Sequence, residues 1–277
     1  MASRVTGAVF RAFIVAALVV APSMLVPGLS ADAQQTVALV ALFAGALTYV
    51  EYRAEAPGLI EFRDAPPFNR TRLALLVLTL FALSMIERGR ELPSTLTDLV
   101  TAIGTLIGQA MDFPYSPVRL VTEALAETAT AADVAAVRTA AGTAYLTTLL
   151  ALFVFSFLMR RNWPRPGRAF NVWINLPTFD PTSVSDIVAR LERDARINIS
   201  LGFLLPFLMP ALVHFTLGGL DPVVVTAPHT LIWMMAAWAF LPASLFMRGI
   251  AMMRVAQMIR DKRRANAALA AGGVQPA

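Results

Sequence analysis

Five stretches of this chain, residues 12–31, 33–50, 139–159, 197–220 and 222–247, contain no Asp, Glu, Lys or Arg. A bilayer core of about 30 Å takes roughly 20 apolar residues of helix at 1.5 Å each, so each stretch is long enough to cross a membrane or nearly so. Hydrophobic residues make up 57% of the chain and charged residues 15%, and mean hydropathy is +0.64, a balance outside that of ordinary soluble domains. The expected fold class is all-α, a single polytopic membrane domain.

A sixth stretch, 73–86, is short for a span, but Arg72 and Arg88 at its ends can snorkel to the two interfaces and lengthen it. The distribution of positive charge decides its status, because short cytoplasmic loops carry the excess of Arg and Lys. With 73–86 crossing, 19 of the 23 basic residues fall on one side and only Arg88, Arg90, Arg119 and Arg138 on the other. Without it, every basic segment after Arg138 changes side. Counting 99–111 as a further span has the same effect, so that segment reads as a half-buried or surface helix. The expected spans are about 12–31, 33–50, 71–88, 139–159, 199–218 and 228–247. A periplasmic loop covers 87–138, a cytoplasmic loop 160–198 and a basic cytoplasmic tail 248–277, with both termini cytoplasmic. Abundant alanine and a single lysine, Lys262, suggest a bacterial protein of the inner membrane. A competing reading takes Arg4, Arg11, the first apolar stretch and Ala31-Asp32-Ala33 as a secretory signal cleaved after Ala33, leaving five spans.

The absence of cysteine removes disulfides, thiolate metal sites and thiol nucleophiles. No P-loop, Gly-x-Ser-x-Gly, His-Glu-x-x-His or dinucleotide fingerprint is present, and the uncharged stretches offer no carboxylate for ion-coupled transport. His214 and His229 lie near facing ends of consecutive stretches and are the candidate ligands for a haem or metal. Two ligands without an accompanying carboxylate are few, so no cofactor is expected. The positive charge is explained by topology and by attraction to anionic lipid, which makes a nucleic-acid partner unnecessary.

Three features suggest docking. The loop segment 61–70 contains Phe62, Arg63, Asp64, Pro66, Pro67 and Phe68, with Pro66-Pro67 imposing an extended path; a connector with its Phe side chains at the membrane surface is the plainer reading. Val184, Ile187, Val188, Leu191 and Ala195 form one stripe of a helix capped by Thr182 or Ser183, supported by Asp186–Arg190 and Glu192–Arg196 pairs. This predicts an amphipathic interfacial helix flanked by Trp163 and Trp173, its stripe facing lipid or a partner groove. Gly104 and Gly108 form a GxxxG pair that admits a second helix closely.

The functional expectation is a non-catalytic inner-membrane protein acting by association, with a membrane-protein partner or a second copy, as an accessory, assembly or stabilising subunit. The alternative is a transporter or channel component for a neutral or apolar solute, suggested by the helix-interrupting Pro206, Pro210 and Pro242. A haem- or metal-binding membrane protein using the two histidines is the weaker alternative.

Overall fold

The structure is a computed structural model that describes residues 2–55, 58–63, 65–163, 171, 175–177, 179, 186–217 and 219–272. Among these residues there are nine helices and no strand: α1 (Ala2–Leu25), α2 (Ala31–Arg53), α3 (Pro66–Glu91), α4 (Thr95–Met111), α5 (Pro117–Glu123), α6 (Ala131–Asn162), α7 (Ile187–Leu217), α8 (Pro222–Val225) and α9 (Pro228–Gly272). The chain is an all-α polytopic membrane protein. Their starts follow from local chemistry. Ser30 accepts from the Ala33 amide, Ser94 with Thr97 and Thr130 with Asp133 form capping boxes, and Asp221 caps α8. The Ala31-Asp32-Ala33 tripeptide thus forms the first turn of α2. Pro66-Pro67 does not extend the chain as expected. Both prolines open α3, where their fixed φ suits the first turn and the missing N–H has no intrahelical partner to lose.

Among the described residues, five helical segments are long and apolar enough to cross a membrane: Val5–Leu25, Ala31–Arg53, Ala131–Arg161, Ile187–Thr216 and Pro228–Leu269. Helix α3 is not among them, yet it lies alongside α9 over most of its length. At one end Arg72 Nε donates to Ser244 Oγ of α9 at 3.2 Å, and at the other Arg90 reaches the Thr226 carbonyl just before α9 at 3.4 Å. It therefore runs antiparallel to the whole apolar part of α9, and its 26 residues extend over about 39 Å. Contacts at the two ends fix the alternation. Arg11 lies over Tyr52, Arg248 meets Glu61 and Arg254 meets the Trp163 carbonyl at one end, which we call the charged end. Arg88 caps the Leu25 carbonyl and Ala126 donates to Leu220 at the opposite end. The first turns of α1 and the last turns of α9 thus share the charged end.

Two apolar cores fill the bundle. The opposite-end core gathers Val26, Leu80, Leu83, Val121, Leu231, Ile232 and Met235. The charged-end core gathers Phe62, Phe68, Phe155, Met159, Leu191, Met247 and Val255. Helix α2 packs chiefly on α1, and its outer face, including Leu39, Leu42 and Phe43, is exposed as lipid contact requires. Helices α7 and α9 approach backbone to backbone: a Cβ on Gly202 would lie 2.6 Å from the Pro242 carbonyl oxygen, and one on Gly249 2.7 Å from that of Ala195.

The expected separate interfacial helix is corrected by this packing. From Ile187 onward the amphipathic stripe is the first part of α7, continuous with the fifth span, and Val188, Leu191 and Ala195 are buried in the charged-end core. The expected side-chain pairs are replaced as well. Asp186 meets Arg263 of α9 at 3.4 Å, Glu192 pairs with Arg260, and Arg190 lies 3.9 Å from Asp194. Polar groups on α7 that a lone helix would pair internally instead fasten it to α9, a single helix of 45 residues that continues beyond the apolar core.

Candidate functional site at the charged end

The most elaborately built part of the molecule is the turn from α2 into α3. Glu51, in the last turn of α2, is buried and its carboxylate accepts from the amides of Gly58, Leu59 and Ile60 at 2.8–3.3 Å. A carboxylate holding three backbone N–H groups closes this loop as an anion-filled nest. Arg63 closes it from the other side, donating to the carbonyls of Ala54 at 2.6 Å and Glu55 at 3.1 Å. Asn69 donates to the Glu61 carbonyl at 2.9 Å, and the Phe62 amide donates to the Asn175 carbonyl at 2.7 Å.

Two features stand out within this frame. Phe62 has φ +52°, a left-handed conformation costly for a residue with a Cβ, and its ring is fully buried 4.6 Å from that of Phe68. Glu61 forms a two-point ion pair with Arg248 of α9, at 2.6 Å through Nε and 2.9 Å through Nη2, while Arg248 Nη1 donates to Asn198 Oδ1 of α7 at 3.2 Å. The guanidinium, always charged, therefore ties the loop to both α7 and α9. Arg72 sits between the rings of Phe68 and Phe240, 5.1 and 5.5 Å from their centroids, and donates to Ser244.

The expected docking residues are mostly engaged inside the chain. Phe62, Pro67 and Phe68 are buried rather than lying at the membrane surface, Pro66 is half-buried, and Arg63 holds the loop. Val188 and Leu191 are core residues, Ile187 packs against the same core, and Asp64, Trp173, Thr182, Ser183 and Val184 lie outside the described residues. Gly104 and Gly108 do admit another helix closely, but it is the chain's own α6. A Cβ on Gly142 would lie 2.5 Å from the Gly108 Cα, and one on Gly104 2.9 Å from Thr143 Oγ1. Helix α4 lies against α3 and α6 with Leu96, Leu99, Ile103 and Leu106 exposed on its other face.

The histidines occupy different settings. His214 is exposed near the end of α7, edge-on to Phe215, whereas His229 is half-buried at the start of α9 with Nε2 enclosed and without a hydrogen-bond partner among the described residues. No three His, Asp or Glu side chains converge as a metal site among the described residues. At the opposite end the buried Glu87 pairs with Arg90 at 2.9 Å. The freed proline carbonyl is also accounted for. Pro210 cannot donate to the Pro206 oxygen, and the Trp238 indole N–H takes its place at 3.3 Å.

Sequence reasoning missed Glu51, Glu61, Asn198 and Arg248 as a constellation. Glu51 and Arg248 stand at borders of apolar stretches, where a charge reads simply as a helix end, while Glu61 lies in the middle of a loop and Asn198 is an uncharged residue at the start of an apolar run. Against protein-family models, curated proteins and solved structures the chain gives no match.

Proposed function

We propose that this protein is a non-catalytic, multi-pass protein of a bacterial inner membrane, with its charged end in the cytoplasm, that serves as an accessory, assembly or stabilising subunit of a membrane complex. The observation that carries this reading is the loop 51–72. Strained backbone at Phe62, a partly buried ion pair and repeated side-chain bonds to backbone give it one rigid shape, and such strain persists where a shape is used. Glu51, Glu61, Arg63 and Arg72 hold that shape rather than converge on a reacting atom. What the loop offers outward is Leu59, 65% exposed, with Arg53 and Arg70 also exposed, an apolar knob among cations suited to a partner segment with an acidic rim.

Membranes expressing the tagged full chain, extracted in a mild detergent and analysed by mass spectrometry after affinity purification, test this reading. The expected result is a stoichiometric membrane-protein partner that is lost from the Leu59→Asp/Arg70→Glu double variant while the variant keeps its unfolding temperature. A protein that remains a monomer, or binds only itself, in both detergent and lipid nanodiscs overturns it.

A further inference from the structure

A groove of about 230 Å³ opens at the charged end between α6, α7 and α9. Its floor is apolar, made by Met159, Ile199 and Met253, and its rim carries Arg160 of α6 and Arg254 and Gln257 of α9. Among the described residues no carboxylate lines it, because the acids of the adjoining first turns of α7 face other cations: Asp186 meets Arg263, Glu192 meets Arg260, and Asp194 meets Arg190 and Arg193. Arg254 is oriented in advance. Its Nε donates to the Trp163 carbonyl at 3.3 Å and its Nη1 to Gln257 Oε1 at 3.2 Å, which leaves the remaining N–H groups for a ligand. Arg160 is exposed and has no ion pair among the described residues.

Two cations sharing a rim with no acid between them repel unless an anion joins them, and guanidinium groups bind phosphate oxygens through strong charge-assisted hydrogen bonds. The position specifies the source of that phosphate. Arg160 is the first charge after the long apolar stretch of α6, and toward the middle of the spans α6 and α7 expose Phe153 and Leu201 as lipid-facing side chains. The groove therefore lies where lipid headgroups meet acyl chains, with an apolar floor that a free inorganic anion would leave unused.

We propose that this groove is a binding site for an anionic phospholipid of the same leaflet, Arg160 and Arg254 holding the headgroup phosphate and Met159, Ile199 and Met253 the start of an acyl chain. The site is independent of any protein partner. It is tested by native mass spectrometry of the delipidated full chain titrated with phosphatidylglycerol, phosphatidylcholine or inorganic phosphate. One phosphatidylglycerol is expected to bind in preference to phosphatidylcholine, with affinity falling roughly five-fold for Arg160→Gln and about 25-fold for Arg160→Gln/Arg254→Gln. Lys262→Gln, which removes a cation from the same end of α9, leaves binding unchanged. Equal losses in the Lys262 variant, or no preference between the two lipids, overturn the proposal. Displacement of the lipid by inorganic phosphate at comparable concentration also overturns it, in favour of a free-phosphate site. Because the Arg160 side chain is exposed, the single variant keeps its unfolding temperature and remains informative if the double variant does not fold.

Discussion

At Phe62 two energies oppose each other. The ring fills the centre of the charged-end core, while the backbone at φ +52° costs of order 1–3 kcal/mol for any residue with a Cβ. Truncation to Ala removes the ring and keeps the strain, and is expected to lower stability by about 3–5 kcal/mol. Truncation to Gly removes both, so Phe62→Gly should be more stable than Phe62→Ala by about 1 kcal/mol, the reverse of the usual order inside a helix or strand. Equilibrium unfolding of the two variants in detergent reads the difference, and Ala equal to or above Gly would show that Phe62 is not held in that conformation. A similar opposition governs Glu61. Replacing it with Gln leaves the Arg248 charge partly enclosed with a neutral partner, a loss of about 2 kcal/mol, the usual scale for hydrogen bonds to charged groups. In the Arg248→Met background the same replacement should cost much less, and the shortfall measures the coupling between loop and helix. Equal costs in both backgrounds would mean that the pair contributes nothing to holding the loop.

Between elements, the close crossings depend on missing side chains and on one borrowed donor. The backbones of α4 and α6 meet at Gly108 and Gly142, where an added methyl has no room. Gly142→Ala is therefore expected to destabilise by about 1–3 kcal/mol, the range for overpacking, although alanine is the better helix former in isolation. Trp238 of α9 satisfies the Pro206 carbonyl of α7 that Pro210 cannot. Trp238→Phe should cost roughly 1–3 kcal/mol by leaving that carbonyl unpaired, and less in a Pro210→Ala background, where residue 210 supplies its own N–H. Thermal unfolding of the single and double variants measures this, and additivity would mean that the indole contributes packing alone. These crossings also show what one sequence reveals. The uncharged runs were legible, because each is a local property of consecutive residues. The stripe of Val188 and Leu191 was legible as apolar but not as already covered, since a helix that packs on its own chain and one that waits for a partner have the same periodicity. The GxxxG pair was legible as small, yet Gly142, the residue that makes it matter, lies on another helix. Glu61 and Arg248 were beyond reach for the same reason: their pairing depends on which ends of the bundle meet.

At the scale of the whole molecule, the geometry makes α3 decisive. It is not among the five helices long and apolar enough to cross a membrane, but its ends contact both ends of the apolar part of α9, and we propose that it crosses beside α9. The lack of native cysteine allows this to be tested by single cysteines introduced at Glu55, Leu92, Thr128 and Asn266, each an exposed position in the described structure. If α3 crosses, Glu55→Cys and Asn266→Cys share one side, and Leu92→Cys and Thr128→Cys share the other. A membrane-impermeant maleimide should then label the latter pair from the periplasm and reach the former only after the inner membrane is opened. The proposed direction rests on charge: under the positive-inside bias the side holding Arg53, Arg63, Arg70, the α7 arginines and the tail is expected to face the cytoplasm. The two conclusions separate cleanly in the same experiment. Labelling of Glu55→Cys and Leu92→Cys from the same side would show that α3 does not cross, whereas the expected pairing with the sides exchanged would keep six crossings and overturn only the orientation.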